Sequence, residues 1–188
     1  MSGPGLLIGD IGGTNARFAL ADAAGTGFRQ DSSLACGDYE TAEDAIVAYL
    51  QSQEVAAPQV ICLAVAGPVI DQSVSFTNNH WSIAATELSE RFPSARIRLL
   101  NDFEAIAYSL PALAEGDIEI IGLKEQQLRG RQDFTVGVLG PGTGLGVAGL
   151  VGRGGHRFAV VTEGGHVGFA PENQLQFEVL RLLRERFQ

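Results

Sequence analysis

Apolar positions along the chain gather into short runs separated by glycine-rich turns, and few stretches show a long helical period. Leu6 to Asp10 (LLIGD) is an apolar run closed by an acid. The glycine turn Ile11 to Thr14 follows, then Arg17 to Ala21 (RFALA), and together they predict a β-hairpin. Phe28 to Ala35 reads as a weaker third strand. Thr41 to Gln51 places Ala45, Ile46, Tyr49 and Leu50 on one helical face behind a Thr41 N-cap. Val60 to Ala66 (VICLAVA) is continuously apolar, as in a strand buried on both sides, and stops at Gly67-Pro68. Ser73 to Thr77 predicts a short strand, Thr86 to Arg91 a short helix, and Ile97 to Leu100 a strand. That strand runs into Asn101-Asp102 and a helix over Phe103 to Leu110, ended by Pro111.

The opening theme then returns. Phe134 to Gly140 is a strand, Pro-Gly-Thr-Gly a turn, Leu145 to Val151 a second strand, and Arg157 to Thr162 a third. A glycine loop and a helix over Gln174 to Phe187 follow. The mixed stretch 112–133 therefore marks a boundary between a first unit, 1–111, and the beginning of a related second one, 134–188. Hairpin-joined strands followed by crossover helices imply a mixed sheet in an α/β protein.

Composition narrows the chemistry. Twenty-two acidic against 13 basic side chains give a formal charge of −9 over 188 residues, which argues against a nucleic-acid partner. No run approaches the roughly 18 apolar residues of a membrane span. Met1 to Gly5 is too short and uncharged for a signal peptide, so no membrane partner and a cytoplasmic address are expected. Cys36 and Cys62 read as reduced, packed thiols. Glycine supplies 24 of the 188 residues, about twice the usual ~7%. Lysine occurs once, at Lys124 in LKEQQ, which excludes a Walker A loop.

Three kinds of segment carry candidate chemistry, the first in two copies. The first is Asp10-Ile11-Gly12-Gly13-Thr14-Asn15. A carboxylate at a strand end can hold Mg²⁺ or its water, and a glycine turn with a hydroxyl can approach phosphate oxygens. Gly140-Pro141-Gly142-Thr143-Gly144-Leu145-Gly146 is a second such turn; Leu145 breaks the dinucleotide fingerprint. Two Gly-Thr hairpins can clamp a polyphosphate, although each alone could be a tight turn needing positive φ. The second segment is Asn101-Asp102, at the carboxyl end of a strand, where open α/β sheets place ligands. There an Asp can take a hydroxyl proton during phosphoryl transfer and an Asn can hold a neighbouring hydroxyl. The competing reading has Asn101 capping the helix and Glu104 closing a capping box; the two are compatible. The third is Glu163-Gly164-Gly165-His166, whose carboxylate and imidazole suit a polyhydroxylated ligand; a solvated turn is the alternative. His80 beside Trp81 reads as a packed or surface aromatic pair.

These segments resemble the bacterial glucokinases of the hexokinase–actin superfamily. LLIGDIGGTNARFAL is similar to that family's first phosphate motif, LLNDFEAIA to its catalytic segment and GVLGPGTGLGVAGLV to its second phosphate motif. TEGGHVGFAP is similar to its sugar-binding loop and TNNHW to a stretch between them; the matches run in family order from Leu6 to Pro171. The resemblance implies an actin-like (ribonuclease H-like) α/β lobe and the start of a second, incomplete one, binding glucose and ATP. It implies Asp102 as general base toward the sugar 6-hydroxyl, with Asn101, Glu163 and His166 on other hydroxyls and Asn78 or Asn79 near the sugar. Asp10 would position Mg²⁺, with Gly12, Gly13, Thr14, Asn15, Gly142, Thr143 and Gly144 around the phosphates. It leaves a homodimer open. A sugar-binding protein without turnover is the alternative from another class.

The family's proteins are longer than this chain, whose last helix ends at Gln188 without a Gly or Asn cap. A fragment, inactive by itself and with apolar surface uncovered, is therefore expected.

Overall fold

A computed structural model describes residues 5–22, 27–76, 79–121, 128, 130–142 and 144–187. Strands β1 (Leu6–Ile11), β2 (Asn15–Ala21) and β3 (Phe28–Ala35) form an antiparallel meander. Helix α1 (Ala42–Ser52) crosses over, and β4 (Val60–Val65) pairs parallel with β1. Strands β5 (Ser73–Ser75) and β6 (Ser82–Ala84) make a small hairpin before helix α2 (Ala85–Arg91). Then β7 (Arg96–Asn101) pairs parallel with β4, completing a five-stranded mixed sheet of order β3-β2-β1-β4-β7.

The local reasons are visible residue by residue. Thr41 caps α1, its hydroxyl accepting from the Asp44 N–H at 3.2 Å. The apolar stripe of α1 is fully buried, with the Tyr49 ring 5.5 Å from that of Phe18. The Tyr49 hydroxyl donates to the Gln30 carbonyl at 2.8 Å, and Gln30 takes a left-handed φ of 56° close to where the β2–β3 register slips. Strand β4 was expected to be buried on both faces. Instead burial alternates along it: Ile61, Leu63 and Val65 are sealed while Val60, Cys62 and Ala64 are half covered. Strand β6 is absent from the sequence expectation, being too short to show a period.

Helix α3 (Asp102–Ser109) leaves the end of β7 and touches β4 and β7 as well as the next three strands. Those strands, β8 (Phe134–Pro141), β9 (Leu145–Arg153) and β10 (His156–Thr162), form an antiparallel sheet of order β10-β9-β8. The Ala159 N–H donates to the Tyr108 hydroxyl at 3.3 Å, fastening α3 to β10. Buried Ala107 of α3 packs with Phe134, Ala148 and Leu150. Helix α4 (Gln174–Phe187) buries no residue, and Leu175, Phe177 and Leu182 on it are exposed. No helix among the described residues is long and apolar enough to cross a membrane.

Candidate active site

Strands β1, β4 and β7 run parallel and in register, so Ile11, Val65 and Asn101 end the sheet at one level. At about 4.8 Å per strand, the ends of β1 and β7 stand about 10 Å apart. Asp10 and Asn101-Asp102 therefore belong to one edge, the carboxyl edge of the parallel strands.

On that edge Asn101 is the N-cap of α3. Its Oδ1 accepts from the N–H groups of Phe103 (3.0 Å) and Glu104 (3.4 Å), and its Nδ2 donates to the Gly67 carbonyl at 3.0 Å. An amide nitrogen carries two hydrogens, so one remains beyond the bond to Gly67. Asp102 opens the helix half-buried, and its Oδ1 accepts the Phe103 N–H at 2.8 Å. The capping box expected of Glu104 does not form. Its Oε1 turns to Arg98 Nη2 at 3.6 Å, because β7 delivers that guanidinium beside the helix start.

The first glycine turn joins β1 to β2, with the Gly12 N–H donating to the Asn15 carbonyl at 2.9 Å. Asp10, more than half exposed, meets Arg17 across the ladder at 3.2 Å. Thr14 and Asn15 are exposed, and Asn15 Nδ2 donates to Thr14 Oγ1 at 3.1 Å. In the second turn the Gly142 N–H donates to the Gly144 carbonyl at 2.7 Å. Thr143 lies outside the described residues, as does Asn78.

The glycines of the second hairpin divide into two kinds. A Cβ on Gly146 would overlap the Phe103 ring, and one on Gly140 would meet it at 2.5 Å. Those two exist so that Phe103, the residue after Asp102, can seat on the hairpin. Gly142 and Gly144 differ: Gly142 has no left-handed φ, and a Cβ on either meets nothing within 4 Å among the described residues. Gly12 likewise has no left-handed φ and only an ordinary contact, with the Asn15 carbonyl at 3.5 Å. Among the described residues, then, nothing calls for glycine at Gly12 or Gly142.

The Glu163-Gly164-Gly165-His166 segment follows β10 as a short 3₁₀ turn over Gly164–His166. A Cβ on Gly165 would collide with the Leu145 carbonyl, so glycine lets this turn press against the start of β9. Glu163 and His166 are exposed, with Oε2 and Nε2 3.6 Å apart. The turn they flank packs against β9, the strand that leaves the second glycine turn.

The glucokinase family model matches residues 7–188. The chain belongs to the glucokinase family. The glucokinase of Caulobacter sp. (strain K31) is 44% identical over 183 residues, covering 96% of this chain and 54% of the relative. The crystal structure of a glucokinase from an Antarctic psychrotroph superposes with a TM-score of 0.83 at 32% identity, covering 97% of this chain and 57% of that one. A Balamuthia mandrillaris glucokinase, solved in complex with glucose, gives a TM-score of 0.67 at 26% identity, covering 96% of this chain and 54% of that one. This chain thus spans about half the length of the relatives it matches. The glucokinase resemblance read from the motifs is borne out, as is the mixed α/β fold of actin-like kind.

Proposed function

We propose that this chain carries the glucose pocket and both phosphate turns of a glucokinase, which moves the γ-phosphoryl group of ATP to the 6-hydroxyl of glucose. The observation that carries this is the tip at Gly142 and Gly144, where an added Cβ meets no described residue within 4 Å and room is left for a phosphate against backbone. It sits on the hairpin into which Phe103 keys the helix that begins with Asp102.

In this reading Asp102 accepts the proton of the attacking hydroxyl on Oδ2, since Oδ1 is occupied by the Phe103 N–H. Asn101 offers its second amide hydrogen to a sugar hydroxyl, and Glu163 and His166 bracket others. Asn78 stays a candidate for the same ring. Gly12, Gly13, Thr14 and Asn15 face the phosphates from one side and Gly142, Thr143 and Gly144 from the other.

Asp10 suits Mg²⁺. It is one exposed carboxylate at a strand end, and no group of three ligating side chains occurs among the described residues. Magnesium is commonly held this way, by one or two carboxylates completed with phosphate oxygens and water. When bound, the ion neutralises charge on the phosphates.

We further propose that residues 1–111 form the small lobe, 112–133 the connection and 134–188 the first part of the large lobe, and that this stretch alone does not turn over. The test is a coupled phosphorylation assay on the enzyme at the full length of its relatives. Asp102→Ala is expected to lower kcat at least about 10²-fold with glucose affinity retained. Near-normal turnover would remove Asp102 from the role.

A further inference from the structure

Asn79, the alternative to Asn78 near the sugar, turns away with His80 and Trp81, and their side chains converge behind the first glycine turn. The Trp81 N–H donates to Asn79 Oδ1 at 3.1 Å. That bond fixes which way the amide points, so Nδ2 faces the Gly12 carbonyl and donates to it at 3.2 Å across 67 residues of sequence. The buried Cys36 thiol reaches the same carbonyl at 3.9 Å, and the Cys36 N–H donates to the Thr14 carbonyl at 2.9 Å. Burial pushes the Cys36 thiol up, which keeps it protonated and able to donate. Trp81, the only tryptophan, is 3% exposed, and its indole N–H donates to the Tyr39 carbonyl at 3.1 Å. His80 Nε2 lies 3.0 Å from that same carbonyl. Segment 79–81 therefore locks residues 36–39 and the glycine turn together.

The turn's own hydrogen bonding gives this lock a consequence. In a two-residue hairpin the carbonyl at the start of the turn ordinarily accepts from the N–H three residues on. Among the described residues no such bond joins Asn15 to the Gly12 carbonyl; the side chains of Asn79 and Cys36 take it instead. A trans peptide directs its C=O and N–H to opposite sides. Holding the Gly12 carbonyl inward thus turns the Gly13 N–H outward, to the side where the proposed reading needs a donor to phosphate.

We propose that Asn79 is a positioning residue of the phosphate site: it orients the Gly12–Gly13 peptide so that the Gly13 N–H meets the polyphosphate of a bound nucleotide. The proposal rests on the phosphate role given to this turn, while its structural half stands independently. It also makes Trp81 a built-in reporter, one hydrogen bond from Asn79 and two from the turn.

The experiment compares the 188-residue chain with Asn79→Ala and Asn79→Asp, and with Cys36→Ala, which touches the same carbonyl. Two readouts are used: amide hydrogen exchange over residues 11–16, and Mg²⁺-tripolyphosphate titration followed by Trp81 fluorescence. Asn79→Ala is expected to speed exchange over 11–16 about tenfold and leave that of β4 unchanged. It is also expected to weaken tripolyphosphate about tenfold and to lower the melting temperature of a chain that still unfolds cooperatively, as for a polar group left without its partner. Asn79→Asp keeps the acceptor for Trp81 and loses the donor, so it should reproduce the exchange effect. Cys36→Ala should give a smaller change in the same amides and decides the matter should the Asn79 variants not fold. Unchanged exchange over 11–16 in the folded variants overturns the proposal. Faster exchange in a chain whose wild type binds no tripolyphosphate keeps Asn79 as the support of the turn and removes the turn's phosphate role. Weaker tripolyphosphate binding without faster exchange overturns the positioning mechanism.

Discussion

Among the described residues, twenty buried side chains from Leu7 to Leu99 pack around the five-stranded sheet, whereas the three-stranded sheet and α3 gather four. The first sheet has α1 and α2 folded onto it; the second shares α3 and leaves Leu139, Phe158 and Val161 exposed, as α4 leaves Phe177 and Leu183. Yet the same strand–turn–strand theme crosses both, and each turn is fixed by a residue from elsewhere. Side chains from 36 and 79 hold the first from behind, and Phe103 wedges into the second. The difference teaches that a turn can be held in place without a large core of its own, provided one well-placed neighbour fills the space beside it.

Truncations on the two sides of the molecule should separate them most strongly. Leu63→Ala, in the fully buried centre of β4, is expected to cost about 2–5 kcal/mol in chemical denaturation. Leu183→Ala on α4, 45% exposed, is expected to stay within about 0.5 kcal/mol and to reduce self-association in sedimentation. Equal losses at the two positions would contradict the contrast.

A smaller and sharper comparison lies within the second hairpin. Gly146→Ala drives a methyl into the Phe103 ring and is expected to cost about 1–3 kcal/mol. Phe103→Leu should recover part of that loss. Gly144→Ala meets no described residue within 4 Å and should leave stability within about 0.5 kcal/mol while weakening nucleotide binding in calorimetry. A Gly144→Ala chain that binds nucleotide normally would take the phosphate role from that tip.

The smallest effect concerns Glu43 in the first turn of α1. Burial pushes its carboxyl above the usual range, the α1 backbone and Thr41 oppose this, and the charges of Glu87 and Asp44 add to it; its Oε1 is buried without a partner. The folded state thus holds the proton more tightly than the unfolded one. Stability from this group is full below the unfolded value and is lost as pH rises through the folded value. Glu43→Gln should therefore raise the melting temperature at neutral pH, and the advantage should vanish in acid.

How far the sequence reaches follows from the range of each interaction. The β1–β2 hairpin, the Thr41 cap and the helix over Gln174–Phe187 depend on neighbours a few positions apart, and all were legible. The Asn101 cap was legible too, because its partners Phe103 and Glu104 lie within one turn. Glu104 was misjudged for the complementary reason: its partner Arg98 sits on the preceding strand, and only the β7–α3 turn brings them together. The bond from Asn79 to Gly12 spans 67 residues and leaves no periodic trace; its one signal was an Asn-His-Trp triplet with no element of its own. Nor could the glycines of the second turn be sorted from sequence. Only packing shows that Gly140 and Gly146 serve Phe103 whereas Gly142 and Gly144 meet none of the described residues.

In the function proposed here, two turns built on different sheets close on one polyphosphate. Backbone amide chemical shifts of the 188-residue chain, titrated with Mg²⁺ and a non-hydrolysable ATP analogue, test it directly. The amides of Gly12–Asn15 and of Gly142–Gly144 are expected to move together along one saturation curve. Shifts confined to a single turn, or found elsewhere while both turns stay still, would contradict it.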